Sequence, residues 1–405
     1  MMMKSIFLLF SSLWLTVFSY SQNSAGLQIT TRTSLKNDKL VEDSISITMP
    51  VSRIIYQRSN KNIAAIKVSG TVPAKATLIV ARLVARTKGQ GTTTMWKKIA
   101  TNNSNGAFSG LLNGRGGWYN LEVRAKNGTQ TVVTKIVERI GIGEVFLITG
   151  HSVAQGGDIN IEGATDDRVS TIRVQEKTDR FETYLKTGDP QYLPELEFVQ
   201  AATGIAHAPF GHNNYFWSKF GEILAQKENV PVLIYNAGFG GTSLEHWAKS
   251  TQNIQFEHGF VRSAIRMPYI NVFNALQKYI PSTGIRAILS DQGQNDSGQK
   301  NADSIVQNYQ TVIRQARQDL KYPKLAMVVN RQTPKGAPSV RIAQNRMAKE
   351  PYCFSGPDYD LLLKDDTVDG VHLSASGEEK AAVMWAQALT PDFFKSSKPW
   401  LPLWK

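Results

Sequence analysis

The sequence predicts an α/β protein: a three-layer α/β/α domain with a mostly parallel sheet, preceded by a small antiparallel β-sandwich. Residues 27–138 are a succession of short alternating runs broken by Asn-Gly and Gly-Gly turns, the texture of antiparallel strands. From residue 143 onward, short continuous apolar runs alternate with amphipathic stretches. That pattern belongs to strands buried on both faces under helices. The chain has 405 residues, 41% of them hydrophobic and 20% charged, so each part can bury a core of ordinary size.

In the first part, Ile63-Ala64-Ala65-Ile66-Lys67-Val68 runs into Ser69-Gly70. Trp118-Tyr119-Asn120-Leu121-Glu122-Val123-Arg124 lies between Gly116-Gly117 and Asn127-Gly128, and Thr131 to Val137 follows. Each reads as a strand bounded by turns. In the second part, Val145-Phe146-Leu147-Ile148 is a buried strand, as are 230–235, 285–289 and 325–329. Residues 215–227 carry Phe216, Phe220 and Leu224 at helical spacing, and 304–320 and 378–389 are further helices. Residues 153–208 read as irregular, with a substrate-side insertion. The chain thus divides into a signal peptide (1–21), an immunoglobulin-like β-sandwich accessory domain (22–141), the α/β domain (142–395) and a C-terminal tail (396–405).

The first 21 residues pair a basic start, Lys4, with an apolar stretch from Ile6 to Val17 and small residues at Ser19-Tyr20-Ser21. This is a secretory signal; the stretch is too short to span a bilayer, and an uncleaved anchor is the alternative. No second long apolar run follows, so no membrane span is expected after cleavage. Export without disulfides (Cys353 is the single cysteine) points to a secreted, periplasmic or envelope protein, bacterial in character. Cys353 excludes an internal disulfide or a thiolate metal cluster, and no metal-ligand spacing or cofactor motif is present. The formal charge of +13 is spread along the chain and unaccompanied by any nucleic-acid motif, so nucleic acid is a poor partner and an acidic glycan or anionic surface a better one.

Ligands of an open parallel sheet bind beyond the carboxyl ends of its strands. Four short segments lie there or near the C-terminus. Gly150-His151-Ser152-Val153 follows the first strand; a serine in such a turn can expose its hydroxyl but needs a base, and a plain turn is the alternative. Gly238-Phe239-Gly240-Gly241-Thr242-Ser243 leaves backbone N–H groups unobstructed for a developing oxyanion, or is a flexible turn. Gly293-Gln294-Asn295-Asp296 offers an amide donor at Asn295. Asp369-Gly370-Val371-His372 places a carboxylate three residues before an imidazole, in a chain with six histidines, so that Asp369 can orient His372 toward a nucleophile.

Taken in order, these blocks resemble the SGNH/GDSL hydrolase superfamily, whose four blocks carry Ser, Gly, Asn and His. The Gly240-Gly241-Thr242-Ser243 run with Trp247, the Gln292-Gly293 pair, and the passage from Gly116-Gly117-Trp118-Tyr119 to Gly143-Glu144-Val145-Phe146 are similar to its sialate O-acetylesterase-like and acetylxylan-esterase-like branch. The resemblance covers the whole mature chain. It implies a carbohydrate O-acetylesterase with Ser152, His372 and Asp369 as triad, and Ser152, Gly241 and Asn295 around the oxyanion. The departures are His151 and Val153 where that branch carries Gln and Asn, and Gln294-Asn295 where it carries Glu-Ser; they bear on substrate preference and rate.

His151 is either a second base or, pointing away on the tight turn, a structural or substrate-facing group. Trp247 and His246 either stack against glycan or, for Trp247, pack in the core. Asp296 and Glu245 read as capping or solvated residues. His207, His212 and His258 read as incidental, with His207 and His212 also placed to border the cleft. The rivals to a carbohydrate esterase are an impaired glycan-binding protein on a hydrolase fold, and a lipase or thioesterase. Sugar identity, acyl position and oligomeric state are open at this level.

Overall fold

The computed structural model describes residues 44–101, 106–159 and 161–404. The expected signal peptide (1–21) lies outside the described residues. So does the start of the expected accessory domain, as far as residue 43.

The first eight strands are β1 (Ser46–Met49), β2 (Ile55–Gln57), β3 (Ile63–Thr71), β4 (Leu78–Ala85), β5 (Lys97–Thr101), β6 (Ala107–Arg115), β7 (Gly117–Asn127) and β8 (Gln130–Gly150). β1, β3 and β6 make one antiparallel sheet. β5, β4, β7 and the first half of β8 pair antiparallel in another, and β2 lies parallel against residues 141–143 of β8. Alternate residues point inward: Ile66, Val68 and Leu112 of the first sheet share a buried cluster with Leu83, Leu121 and Val123 of the second. Gly114 permits their close approach, since a Cβ there would lie 2.4 Å from Leu83 Cδ1. Gly128, at φ +56°, turns β7 into β8, where the Asn-Gly pair predicted a turn between strands.

β8 corrects the sequence reading. The expected strands at 131–137 and 145–148 are one 21-residue strand, half-exposed at its start and wholly buried from Ile140 to Gly150. The glycines between them read as a break but serve close packing. A Cβ on Gly143 would sit 1.9 Å from Pro231 O, and one on Gly141 2.6 Å from Ile55 Cγ1.

The remaining elements are α1 (Ser152–Gln155), β9 (Val169–Ile172), α2 (Asp179–Thr187), β10 (Phe198–Gln200), α3 (Tyr215–Glu228), β11 (Val232–Asn236), α4 (Leu244–Thr251), α5 (Ile270–Asn274), α6 (Ile280–Thr283), β12 (Ala287–Asp291), α7 (Ala302–Asp319), β13 (Ala326–Arg331), α8 (Pro338–Met347), β14 (Cys353–Asp358), α9 (Ala375–Ala388) and α10 (Pro391–Ser396). Strand order is β10-β9-β11-β8-β12-β13-β14, parallel throughout except for β10 on β9. The fold is therefore mixed α/β with one large mixed sheet.

Its two faces bury different side chains. Val145, Leu147, Leu233, Tyr235, Ile288 and Met327 pack with Ile305, Tyr309 and Ile313 of α7 and Val340 of α8. Phe146, Ile148, Ile234, Leu289 and Val328 pack with Phe216, Trp217 and Phe220 of α3 and Trp385 of α9. This two-sided burial explains why these strands read as unbroken apolar runs. Among the described residues no helix is long and apolar enough to cross a membrane.

One charged cluster ties the parts together at the middle of β8. Glu144, fully buried, accepts from Arg58 Nε (2.6 Å), Arg286 Nε (2.7 Å), Arg286 Nη2 (2.9 Å) and Gln57 Nε2 (2.8 Å). Burial pushes its carboxyl upward, but Arg286 and Arg58 outweigh this and hold it below the usual range. Removing one partner of such a group strands the others in a low-dielectric interior. Glu144→Gln is therefore expected to destabilise the protein by about 3–5 kcal/mol, read as a lower denaturation midpoint in urea; a loss below about 1 kcal/mol would contradict this account.

Candidate active site

The sheet's order reverses at β8, with β11 on one side and β12 on the other, and the ends of neighbouring strands leave a crevice at such a point. β8 stops there because Gly150, at φ +136°, passes so close to β12 that a Cβ would lie 1.8 Å from Asp291 O. His151 then caps α1, its Nδ1 accepting from Val153 N at 3.2 Å, and Ser152 opens the helix with its side chain partly exposed.

Ser152 Oγ lies 2.9 Å from His372 Nε2, and His372 Nδ1 lies 2.7 Å from Asp369 Oδ2. The other Asp369 oxygen accepts from the backbone N–H groups of Val371 (2.9 Å) and His372 (2.7 Å). Hydrogen bonds from the His372 ring, then from its backbone, hold the Asp369 carboxyl down at about 2. An ionised carboxylate can only accept, so the His372 ring proton sits on Nδ1 and the Nε2 lone pair faces the Ser152 hydroxyl. Gly370, at φ +80°, closes the loop. Its base is pinned by Asp366, which accepts from Leu363 N, Ser376 Oγ and Lys380 Nζ.

The second and third blocks join this site through backbone contacts. Gln155 Oε1 accepts from Gly240 N at 2.7 Å, and a Cβ on Gly240 would be 3.5 Å from that of Ser152. Gly241 is left-handed, at φ +71°. Thr242 O accepts from Asn295 Nδ2 (3.1 Å) and Gln292 Nε2 (2.9 Å). A primary amide carries two hydrogens, so this bond leaves Asn295 one more to donate. Asp296 fixes both segments, accepting from Leu244 N and Gln292 Nε2 at 2.8 and 2.9 Å, with its carboxyl raised by burial to about 6. Asp291, behind Gly150, is raised by burial to about 7 and accepts from Tyr359 Oη and Asn330 Nδ2.

Two expected substrate contacts are corrected. His151 is 1% exposed; burial first, then repulsion by His372, lowers its pKa to about 3. It is a neutral capping group with no surface to offer, and it is no second base. Trp247 is 3% exposed and donates from Nε1 to Thr242 Oγ1 at 2.9 Å, bracing the glycine-rich loop from behind. His246 packs on Phe256 and accepts from Ser243 N at the start of α4. His207 is buried against Ser218, its pKa lowered by burial to about 3.

Other residues matter that the sequence reading passed over. His258 takes part in the site's frame: its Nε2 lies 3.2 Å from Gly241 O, while its Nδ1 accepts from Phe260 and Val261 N. The Phe260 ring, 63% exposed, covers Gly241 so closely that a Cβ there would be 2.6 Å from it. A cleft of about 460 Å³ opens beside Ser152 and His372, walled by Asp158, His212, Tyr215 and Val368. Gln155 carried no motif; only its spacing from Ser152 hinted at it. Of the two histidines expected to border the cleft, His212 does so and His207 does not. A larger groove of about 540 Å³, under Arg314, Arg317 and Lys321, contains none of these residues.

No curated protein matches the sequence. Among solved structures, a carbohydrate acetylesterase from Xanthomonas citri is 14% identical, with a TM-score of 0.48 over 85% of this chain and 74% of that one. An Arabidopsis thaliana protein is 14% identical, with a TM-score of 0.42 over 63% and 98% of the two chains. The structure of NanS is 12% identical, with a TM-score of 0.41 over 61% and 96%. The family model described as carbohydrate esterase, sialic acid-specific acetylesterase, matches residues 143–391, more than half of the sequence. The chain belongs to that family of carbohydrate acetylesterases, and so is a carboxylic ester hydrolase.

Proposed function

We propose that the protein is a secreted serine esterase that removes O-acetyl groups from carbohydrate, with Ser152 as nucleophile, His372 as general base and Asp369 as the group that orients it. The observation that carries this reading is the relay of 2.9 and 2.7 Å from the Ser152 hydroxyl through His372 to Asp369. His372 Nε2 takes the hydroxyl proton as Oγ attacks the ester carbonyl. The tetrahedral intermediate collapses when that proton passes to the departing sugar oxygen, leaving acetyl-Ser152. Water, deprotonated by the same nitrogen, then attacks, and acetate leaves as Oγ regains its proton.

The oxyanion is held by the backbone N–H groups of Ser152 and Gly241 and by the second amide hydrogen of Asn295. Their setting supports this. Gly240 lies against Ser152, Asn295 is tied to Thr242, and all three donors stand on segments already committed to fixed hydrogen bonds. Rigid donors stabilise developing charge without reorganising. Of the architecture, we propose the three-layer arrangement for residues 142–395, and an antiparallel sandwich over 22–141 as a non-catalytic accessory. The basic start and apolar stretch of the first 21 residues support export to a bacterial envelope or beyond it.

Ser152→Ala and His372→Ala are each expected to lower kcat/KM toward p-nitrophenyl acetate by at least about a thousandfold with an unchanged melting temperature; activity surviving in Ser152→Ala would end the assignment. Asn295→Ala is expected to reduce kcat roughly a hundredfold with little change in KM, because its donor acts on the transition state. Acetate release from acetylated xylans, pectins and sialosides identifies the sugar.

A further inference from the structure

The Ser152 cleft contains a second imidazole–carboxylate pair. His212 precedes α3, and its backbone N donates to Gln155 O, at the end of α1, at 2.8 Å. Gly156 makes room for it, since a Cβ there would lie 2.0 Å from His212 O. The histidine is thereby fixed to the same short helix that presents Ser152. Its Nδ1 lies 2.8 and 2.9 Å from the two carboxylate oxygens of Glu176. A carboxylate cannot donate, so a ring proton sits on Nδ1.

On the other side, Nε2 faces Asp158 Oδ1 across 3.7 Å, and the Asp158 side chain is fully exposed. That gap is too wide for a good direct hydrogen bond and suits an oxygen held between the two groups. A hydroxyl placed there accepts from the ring N–H and donates to the carboxylate at once. We propose that Asp158 and His212 cradle a hydroxyl of the substrate's sugar, so that they read the polyol side of the ester while Ser152 and His372 act on the acyl side. The inference rests on the esterase reading of this cleft and adds the residues that separate a sugar ester from the ester of a simple alcohol. Glu176 is a positioning residue in this arrangement.

The cradle depends on charge. Because Glu176 keeps one proton on Nδ1, only the cationic ring has an N–H at Nε2. The hydrogen bond to Glu176 is the main influence raising the His212 pKa; burial opposes it, and the charges of Glu176 and Asp158 add to it. These two carboxylates, one from the loop before α2 and one from the loop after α1, are the charged groups facing the ring. His372 and Tyr215 line the same cleft. Once the ring loses its proton, Nε2 becomes a second acceptor beside Asp158, and one hydroxyl hydrogen cannot serve both. Sugar binding therefore weakens as pH rises through the His212 ionisation.

The test compares kcat and KM for ethyl acetate with those for mono-O-acetylated methyl glycosides of xylose, glucose and N-acetylneuraminic acid, using whichever is turned over fastest. His212→Ala and Asp158→Ala are each expected to lower the ratio of kcat/KM for the glycoside to that for ethyl acetate roughly tenfold, through the glycoside KM. Asp158 is fully exposed, which keeps its variant free of folding effects. His212→Gln, whose amide donates at every pH, is expected to abolish the alkaline rise in glycoside KM. An unchanged ratio in both alanine variants, or a wild-type glycoside KM that does not rise with pH, overturns the cradle. Undiminished glycoside turnover in Ser152→Ala overturns the esterase site itself and the cradle with it.

Discussion

The constraint on which the rest depends is the continuity of β8. A single strand of 21 residues pairs with one antiparallel neighbour, β7, in its first half and with parallel ones in its second. Ser152 stands two residues beyond its end. A strand buried from both faces cannot slide by one residue without turning each inward side chain to the wrong side. Its register is further locked at Glu144, where Gln57 and Arg58 from the end of β2 converge with Arg286 from just before β12. The serine inherits that fixity: its position is set by pairing along the strand rather than by the four-residue helix it begins.

The carboxylates around the serine divide by solvent exposure. Asp369 is half-exposed and hydrogen-bonded by its own loop, so it stays ionised at any ordinary pH. Asp291 and Asp296 are buried, and desolvation raises both toward neutrality. The exposed acid can hold an imidazolium by charge. The buried pair fix backbone and amide groups through hydrogen bonds. Placing the charged acid at the rim avoids the penalty of burying an unpaired carboxylate beneath the sheet.

Much of the site was legible in the sequence because its four blocks lie in short loops just past apolar runs or, for Asp369 and His372, within four consecutive residues. The glycines at 150, 240, 241 and 370 marked turns, and three of those four adopt positive φ. The strands 230–235, 285–289 and 325–329 were legible because they are buried on both sides. β9 and β10 were not, being only four and three residues long inside a stretch rich in turn signals. β14 was hidden by Gly356 and Pro357, tolerable because it is an edge strand. The histidines show the limit of local reading. His207 and His212 lie five residues apart with similar neighbours, yet one is sealed beside Ser218 and the other faces the cleft, a difference set by how loop 201–214 folds back onto α1. Trp247 failed for a similar reason: an aromatic near a glycine run serves equally as platform or as brace.

The Asp369–His372 loop has a consequence of its own. Acid and imidazole share one peptide segment of four residues, whose carboxylate bonds are all made within it, and it hangs from the rest through Asp366 and the start of α9. A partial detachment of the C-terminal region would carry the pair away intact and leave the serine hydroxyl seated in an undisturbed sheet. Heat inactivation can then run ahead of spectroscopic melting and reverse on cooling, so an assay taken at temperature and one taken after cooling would disagree on how durable the enzyme is.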